Sequence, residues 1–541
     1  MKQTYFSVLF GAVLACSAVS SYGSVTQLGP QQKKSTTLDR SRFKEVPVTQ
    51  IPEGETKIYS RTAMTWVNDY GYTYGKETSD LASFFVFADN GDVFLKDPFS
   101  GFLCSSWLKG SVVGDEIVFP LPQVMYRQYD EEGNLQDYSA NNMKYVAGDE
   151  GGHYEIDTEH QEFVFVMQED GSIVQKVENK EDEVAMLGLC NPEGEWTGYG
   201  DFNYVFTPFS KTVLSVPDNL VSETYAMMYD NGDGHFCNVA FDGNVVYMNG
   251  IYPPAPGCIR GEMKDGKVVF PSGQYVGVES SVLRSAFVYL TGVKVETKLN
   301  EEYGYEEKIY TPLPEIEMVF DADRKVFTVA DGIAMSTSCE QFVNMTVPYV
   351  APEFKYQAPD VVPSNPEKPV FDYVEFNENV GIGSIWLSIP KTDVNGLLLD
   401  TKNMYYSLYV DGELFTFEPD EYASLSDPIT EVPYLYNDGW DISGGNFMMH
   451  YIYYFFQGAE TLEAVSIYKD AEGNRFVSER AVYSFAQGGI SGIDEERRVV
   501  SSRYYDMTGR PVDSTCQGFL IRVDIYDDGT SGIFKQLHIN K

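Results

Sequence analysis

The sequence predicts a mostly β fold built from several modules, and three observations carry that prediction. The chain has 541 residues with 39 Tyr and 34 Phe, residue types that fit pleated sheets. Its 47 Gly and 26 Pro are the residues that punctuate turns. After the N-terminal segment, no long stretch shows the 3.6-residue periodicity of an amphipathic helix. At roughly 100–200 residues per domain, this length indicates several domains.

Charge narrows the classes of partner that we expect. The sequence holds 39 Lys and Arg against 80 Asp and Glu, a formal net charge of −41. A surface of that sign repels phosphate backbones and anionic lipid, so we expect no nucleic-acid partner. Beyond the N-terminal segment no stretch reaches the ~18 apolar residues of a membrane helix, so no membrane span is expected in the mature chain.

Residues 1–23 have the pattern of an export signal. Lys2 supplies a positive start, and the apolar run over residues 5–15 is too short to span a bilayer. Small residues then lead to a cleavage position between Gly23 and Ser24. The segment is therefore predicted to be a signal peptide that is removed from a secreted or cell-surface protein.

A second interpretation of the same segment anchors the chain instead of releasing it. Val13-Leu14-Ala15-Cys16 resembles a lipobox, in which Cys16 would carry lipid and make the protein an outer-membrane lipoprotein. We favour simple cleavage because the far C-terminus indicates another route to the surface. Residues 24–45 are rich in Ser, Thr, Gln and Lys and are predicted to be a flexible leader.

Hairpin signals recur along the chain, and part of the sequence resembles another part. Asp-Gly pairs such as Asp265-Gly266 and Asp411-Gly412 accept the positive φ of tight turns. The self-similar segments, at one constant spacing, are Trp107-Leu108-Lys109-Gly110 with Cys258-Ile259-Arg260-Gly261, Phe119-Pro120 with Phe270-Pro271, and Gln123 with Gln274. This pattern predicts two copies of one β module, over residues 46–212 and 213–350.

The rest of the chain divides at a proline-rich stretch. Residues 351–369 are predicted to be a stiff connector, because proline fixes φ and removes an amide donor. Residues 370–487 read as strands separated by turns and suit a β-sandwich of the immunoglobulin or fibronectin kind. A second linker over 488–500 and a small C-terminal domain over 501–541 follow.

The C-terminal domain carries ordered motifs that resemble a known family. They are Tyr504-Tyr505-Asp506-Met507-Thr508-Gly509-Arg510-Pro511-Val512, Gly518-Phe519-Leu520-Ile521-Arg522 and Lys535-Gln536-Leu537-His538-Ile539. Together they resemble the C-terminal sorting domain of the type IX (Por) secretion system, although Phe519-Leu520 departs from the pair common in that family. The resemblance implies a Bacteroidetes-type bacterium and type IX-like export machinery as a partner. Independently of it, short strands with hairpin turns at Thr508-Gly509 and Asp528-Gly529 predict a small sandwich-like fold. Whether the tail is cleaved stays open.

The cysteines allow disulfides in an exported chain. Of the seven, Cys16 leaves with the signal peptide. Cys104 and Cys258 lie near matching strands of the two modules, while Cys190 and Cys339 both lie late in them, so we predict the pairs Cys104–Cys190 and Cys258–Cys339. The alternative is buried free thiols that pack as small apolar groups.

Signatures of catalysis are missing from the sequence. Its five histidines form no His-Glu-x-x-His pair, and neither a Gly-x-Ser-x-Gly elbow nor a phosphate-binding glycine loop occurs. We therefore predict no catalytic residues and a protein that is not an enzyme. The alternative is a secreted glycosidase-like hydrolase whose carboxylate pair is hidden among the 80 acidic residues.

No metal site or cofactor is predicted, with one possibility left open. Asp230-Asn231-Gly232-Asp233-Gly234 offers oxygen ligands for calcium but lacks the spacing and the terminal Glu of an EF-hand loop. We favour a polar turn there. No Cys-x-x-Cys occurs that would indicate zinc or redox chemistry.

Aromatic residues are the remaining candidates for ligand contact. Trp196 and Tyr199 lie in a loop-like aromatic stretch, and we predict these two residues, together with Trp440, as ligand-binding because aromatic rings can stack on sugars. Trp107 and Trp386 lie in strand-like runs and are expected to pack. The sequence thus predicts a secreted or cell-surface protein that binds or adheres to a glycan or protein ligand. A purely structural surface component is a further hypothesis.

Overall fold

The structure is a computed structural model that describes most of the chain. Described are residues 26–27, 46–485 apart from short gaps, and four strands between 499 and 538. The gaps are 70–71, 130–134, 147–151, 178–184, 231, 281–284, 301–304, 378–381, 423, 439–440, 447 and 456–457. The predictions on residues 1–23 (cleavage between Gly23 and Ser24, lipidation at Cys16), on Trp440 and on residues 488–498 of the linker 488–500 lie outside the described residues.

Strands dominate the described residues, as the sequence predicts, and the mostly β fold class is confirmed. The described residues contain no α-helix, and a short 3-10 turn covers Thr401–Asn403. The chain divides into two compact units, Met1–Val361 and Val362–Lys541.

The first half of the first unit is a closed ring of strands with a side layer. Its strands are β1 (Thr26–Gln27), β2 (Glu55–Asp69), β3 (Tyr72–Phe87), β4 (Asp92–Lys96), β5 (Trp107–Val113), β6 (Glu116–Pro120), β7 (Gln123–Tyr129), β8 (Leu135–Val146), β9 (His153–Ile156), β10 (Glu162–Met167), β11 (Ile173–Gln175), β12 (Met186–Cys190) and β13 (Trp196–Pro208). Antiparallel pairing runs β2-β3-β4-β5-β6-β10-β11-β13 and returns to β2. β8 pairs with β7, β9 and β12 to form the side layer.

The second half of the unit contains a closed barrel with the same strand order. Its strands are β14 (Ser222–Met228), β15 (Gly234–Asp242), β16 (Val245–Asn249), β17 (Cys258–Lys264), β18 (Lys267–Pro271), β19 (Gln274–Ser280), β20 (Ser285–Asn300), β21 (Tyr305–Pro312), β22 (Glu315–Asp321), β23 (Val326–Val329), β24 (Gly332–Ser336), β25 (Tyr349–Val350) and β26 (Glu353–Tyr356). The barrel is β14-β15-β16-β17-β18-β22-β23-β26, and β20 pairs with β19, β21 and β24 in its side layer. A common origin of the two modules stays a prediction.

The connector between this barrel and the next domain begins later than the sequence analysis proposes. Glu353–Tyr356 lies inside the predicted connector 351–369 but pairs with β14 and β23, so it closes the barrel. The residue of this strand that points into the barrel core is apolar: Phe354 is fully buried there. The border between the two compact units follows at Val361 and Val362.

The motif that repeats in the sequence builds the same corner in each ring. The Gln123 side chain accepts from the Lys109 N–H at 2.8 Å and donates to the Lys109 and Pro120 carbonyls, both at 2.6 Å. Gln274 makes the same three bonds to Arg260 and Pro271 at 2.8, 3.1 and 3.0 Å. These two side chains, here called the corner glutamines, tie the end of the ring strand β6 or β18 to the start of the side layer.

Each ring encloses its own core, because alternate residues of a strand point to opposite faces. The first core includes Phe85, Phe119 and Phe165, and the second includes Tyr225, Phe270 and Phe327. Between the modules, β20 of the second side layer meets β3 of the first ring at Ala286 and Leu81.

The second unit contains a two-sheet sandwich. Its strands are β27 (Val370–Asn377), β28 (Ile382–Ser388), β29 (Met404–Val410), β30 (Glu413–Leu414), β31 (Val432–Pro433), β32 (Ile442–Asn446), β33 (Met449–Tyr454), β34 (Thr461–Lys469), β35 (Arg475–Val477) and β36 (Ala481–Ser484). One sheet has the order β27-β28-β33-β32 and the other β30-β29-β34-β35, with β31 on β29 and β36 on β34. Ile385 and Ile452 from the first sheet share a core with Leu408 and Leu462 from the second.

The C-terminal residues form a sheet of their own. Its strands are β37 (Val499–Asp506), β38 (Pro511–Val512), β39 (Gly518–Tyr526) and β40 (Ser531–His538), in the order β38-β37-β39-β40. All pairs are antiparallel. A small all-β tail agrees with the expected architecture, while its role as a sorting domain stays a prediction.

The predicted disulfides are not formed. Free cysteines are Cys104, Cys190, Cys237, Cys258 and Cys339. Leu189 and Cys104 point into the first ring core, so Cys190, the next residue after Leu189, faces the opposite side of its strand. Cys258 is buried whereas Cys339 is exposed. The prediction went wrong because it matched the cysteines by position along the module and not by the face of the strand.

Candidate aromatic binding site

Trp196 opens strand β13 beside a tight hairpin turn. The Asn191 side-chain oxygen accepts from the backbone N–H groups of Glu193 at 3.1 Å and Glu195 at 2.8 Å, and Gly194 supplies the positive φ of 83° that the turn needs. The turn therefore fixes the backbone position of Trp196 at the start of the strand. Its ring N–H donates to the Tyr199 carbonyl at 2.8 Å, which fixes the indole further.

Trp196 packs on the outside of the first ring. Its ring lies edge-on to Tyr154 at 5.4 Å and to Trp66 at 6.2 Å between centroids. Beneath these rings lie buried side chains of the side layer, including Met143 and Met186. We call Trp66, Tyr154 and Trp196 with these residues the outer cluster. Trp196 itself stays half-buried, so most of its surface packs against the protein.

Tyr199 lies on the other side of the same strand. Its hydroxyl donates to the Asn68 carbonyl at 2.8 Å, and its ring packs against the ring core. Gly198, with φ 92°, stands between the two aromatic residues and changes the course of the strand. The structure therefore does not bring the rings of Trp196 and Tyr199 onto one surface.

Tyr199 instead ends a continuous row of four half-buried rings. Tyr138 stacks on Tyr126 at 4.4 Å with an interplanar angle of 17°. Tyr126 lies 5.1 Å from Phe102, and Phe102 lies 5.2 Å from Tyr199. We call these four residues the aromatic strip. They come from β7, β8, β13 and the loop between β4 and β5, and three of them are absent from the sequence prediction.

A β-bulge places Tyr126 in the strip. The register of β7 with β8 shifts between Val124 and Tyr126, so Met125 points into the ring core and Tyr126 packs against the same side. Across the strand pair, Tyr126 stands directly opposite Tyr138. Direct cross-strand aromatic pairs of this kind stabilise a sheet.

The loop that carries Phe102 is held by a buried charged network. Arg61 Nη1 donates to the carbonyls of Asp97 at 3.0 Å and Pro98 at 2.8 Å. Asp201 accepts from the backbone N–H of Ser100 at 2.9 Å and also from the Ser100 hydroxyl. Arg61 and Asp201 are both buried, so the loop is anchored from below.

The charges of this network do not face solvent. Burial raises the pKa of Asp201 to about 6, against the opposing effect of the Arg61 charge and the Ser100 hydrogen bonds. Because its side chain is fully buried, this carboxyl is not presented to a substrate. It positions the loop between β4 and β5.

The strip itself presents neutral chemistry. Burial, followed by the neighbouring Tyr138, raises the pKa of Tyr126 well above its usual value, so its hydroxyl stays protonated at physiological pH. Burial likewise raises the pKa of the nearby Cys104 thiol, which disfavours a nucleophilic thiolate. Ring faces and hydroxyls of this type suit stacking and hydrogen bonding more than bond cleavage.

The possible calcium turn has internal partners in the part of it that the structure describes. Asp233 accepts from the Gly234 N–H at 2.7 Å, and Asp230 pairs with Lys308 Nζ at 3.1 Å. Among the described residues no group of three or more His, Cys, Asp or Glu side chains is arranged to hold a metal ion.

Comparisons with known proteins give little to add. No family model matches the chain, and no curated protein matches it. Among solved structures, the extracellular domain of a putative one component system from B. thetaiotaomicron is 7% identical over 74% of this chain and 72% of that chain, with a TM-score of 0.12. The extracellular domain of a putative hybrid two component system from the same organism is 6% identical over 74% and 73%, also with a TM-score of 0.12. At such scores neither likeness transfers a fold or a ligand.

Within the described residues, no helix is long and apolar enough to cross a membrane.

Proposed function

We propose that the protein is an exported, non-catalytic binding protein of the cell surface or the extracellular medium, and that the aromatic strip contacts a neutral glycan. The observation that carries this proposal is the row of Tyr138, Tyr126, Phe102 and Tyr199, in which four half-buried rings run side by side. Pyranose rings present C–H faces that suit the negative faces of aromatic rings, while tyrosine hydroxyls can bond to sugar hydroxyls.

The charge of the chain supports a neutral ligand. A formal net charge of −41 disfavours the approach of anionic polymers. Beside the strip, Arg127 pairs with Asp137 at 2.7 Å, so the positive charge nearest to it in sequence is already neutralised. Protein ligands remain the alternative within the same class of function.

The glycosidase-like alternative gains no support from the site. Retaining and inverting glycosidases both need two carboxyl groups that face the scissile bond. Burial raises the pKa of two carboxyls beside the strip, Asp97 and Asp201, and both are buried in the protein interior rather than facing a ligand. A panel of glycoside substrates tested on the chain from Ser24 to Lys541 should give no hydrolysis, and turnover that survives purification would restore the alternative.

We also propose that the C-terminal sheet directs export by a type IX-like route. The support is the motif resemblance in residues 501–541 together with their all-β pairing. Mass spectrometry of both ends of the native protein tests it. We expect a chain that begins at Ser24, or at lipid-modified Cys16, in the medium or on the outer surface; a chain that keeps Met1 in the cytosol would contradict it.

The binding proposal is tested by a glycan array followed by titration calorimetry. We expect the chain from Ser24 to Lys541 to bind neutral oligosaccharides, with Tyr126→Ala weakening affinity at least tenfold. The matched control is Tyr247→Ala, which removes a half-buried ring from the second barrel wall. Loss of affinity in both variants, or in neither, would contradict the proposal.

A further inference from the structure

One face of the sandwich carries a second group of aromatic side chains. Residues alternate between the two faces of a strand, and in the sheet β27-β28-β33-β32 the buried Ile385 and Ile452 define the core side. Their neighbours Trp386, Tyr451 and Tyr453 therefore face outward, and each is only half-buried.

Strand register places these rings in one line. Tyr373 stands opposite Trp386, and Trp386 stands opposite Tyr451, so three adjacent strands contribute one aromatic residue each. The ring centroids of Trp386 and Tyr451 are 5.6 Å apart, and those of Tyr451 and Tyr453 are 4.8 Å apart. With strands about 4.8 Å apart, the row spans roughly 10 Å, which suits a short oligosaccharide.

A bulge turns Tyr373 onto this face. The register of β27 with β28 shifts between Phe371 and Tyr373. Strict alternation would place both residues on the same side, yet Phe371 is 4% exposed and Tyr373 is 49% exposed. The most exposed ring of the row therefore owes its position to an irregularity of the strand.

A carboxylate borders the row. Glu375 accepts a hydrogen bond from the Tyr373 hydroxyl and another from the Ser384 hydroxyl at 3.3 Å. Glu375 is exposed, so its carboxylate is oriented by these two partners while it keeps contact with solvent. We call Tyr373, Glu375, Trp386 and Tyr451 the sandwich face.

The chemistry of this face selects among possible occupants. An apolar partner would remove the exposed Glu375 carboxylate from water and offer it no bond beyond those from Tyr373 and Ser384, which is unfavourable for a charged group. An anionic ligand would meet that carboxylate and the net charge of −41. A neutral sugar chain suits both the aromatic rings and the Glu375 carboxylate, because its C–H faces pack on the rings and its hydroxyls donate to the carboxylate.

We propose that the sandwich face is a second binding site, separate from the aromatic strip, for a neutral oligosaccharide. Tyr373, Trp386 and Tyr451 contact successive sugar rings, with the planes of Trp386 and Tyr451 at 87° to each other so that one offers its face and the other its edge. Glu375 accepts hydrogen bonds from the sugar hydroxyls.

The test uses the chain from Ser24 to Lys541 and titration calorimetry with cellohexaose, xylohexaose, laminarihexaose and mannohexaose. Trp386→Ala should lower the affinity for the bound oligosaccharide at least tenfold at this site, and Glu375→Gln should lower it several-fold. Tyr405→Ala is the control, because it removes a half-buried ring from the other sheet. Equal thermal unfolding of Trp386→Ala and Tyr405→Ala excludes a folding defect as the cause.

The two proposed sites are told apart by measuring Tyr126→Ala beside Trp386→Ala. An oligosaccharide whose binding depends on Trp386 and not on Tyr126 supports the sandwich face. Binding that depends on Tyr126 alone overturns the sandwich face and leaves the strip standing. The absence of binding by all four sugars overturns it as well, and so does a dimer in sedimentation analysis that Trp386→Ala dissociates, because a second copy would then be the occupant.

Discussion

The two rings of the first unit share the same hydrogen-bonded corner, but the side chains that surround the corner differ. In each, a corner glutamine makes the same three hydrogen bonds, and a β-bulge follows between the first and third residues after it. Three residues after the glutamine, the first ring has Tyr126 and the second has Gly277. The first corner is filled by the aromatic strip. The second holds a cleft of about 520 Å³ whose lining includes Ala255, Val276 and Gly277.

The two corners agree in their backbone hydrogen bonds and core packing and differ in the side chains at their surface. Backbone hydrogen bonds and core packing fix the corner, since both rings need them to close. We infer that the residue at the position of Tyr126 or Gly277 contributes to this difference, because a side chain on Gly277 would meet Ala255 in the lining of the cleft. A binding site can therefore differ between two modules whose frames agree.

The largest expected effect is at the glycines of the repeated motif. A Cβ on Gly110 would lie 2.8 Å from the Phe119 ring and 2.6 Å from the Val118 carbonyl oxygen; on Gly261 it would lie 2.7 Å from Phe270 and 2.8 Å from the Val269 carbonyl oxygen. Gly110→Ala and Gly261→Ala should each destabilise the protein by about 3 kcal/mol, because neither backbone nor ring can move away.

Urea unfolding of the two glycine variants checks this prediction. Equal shifts of the unfolding midpoint would support one shared frame. A large shift for one variant and none for the other would show that the two corners are built differently.

A smaller effect is expected at the corner glutamines. Gln123→Leu leaves three backbone groups without their partner and should lower the free energy of unfolding by about 2 kcal/mol. Gln274→Leu should lower it by less, because the bonds of Gln274 lie nearer to solvent, which can replace them. Thermal denaturation of both variants measures the difference; a larger loss for Gln274→Leu would reverse this account.

The smallest effect concerns pH and belongs to the first ring. Asp201 has a pKa of about 6 in the folded protein, above the value of about 4 in an unfolded chain. The folded state therefore binds the proton more tightly, and stability contributed by this group rises as pH falls from 7 to 5, by about 1 kcal/mol. Asp201→Asn should remove that rise. Unfolding curves at both pH values test it, and an unchanged pH dependence in the variant would contradict the assignment.

Much of the architecture could be predicted from the sequence. The aromatic, glycine and proline content indicates sheets, and the segments around Gln123 and Gln274 resemble each other because both make the same side-chain bonds to the backbone. The connector before the sandwich was predicted too long, since Glu353–Tyr356 is paired over long range and only the closed barrel reveals it.

The site could be predicted only in part. Tyr199 belongs to the strip, but Phe102, Tyr126 and Tyr138 come together through ring closure and a bulge, which leave no local pattern in the sequence. Trp386 was expected to pack in a sheet; it does lie in one, yet on the outward face. The sequence does not show which face of a strand meets the core when a bulge changes the alternation.

The most direct test of glycan binding by the aromatic strip replaces Tyr126 of the first corner with glycine, the residue at the matching position, Gly277, of the second corner. Titration calorimetry would compare the chain from Ser24 to Lys541 with its Tyr126→Gly variant against the neutral oligosaccharide that the array selects. The account predicts at least a tenfold loss of affinity, with Tyr247→Ala unchanged. Equal affinity of Tyr126→Gly and the unaltered chain would contradict it.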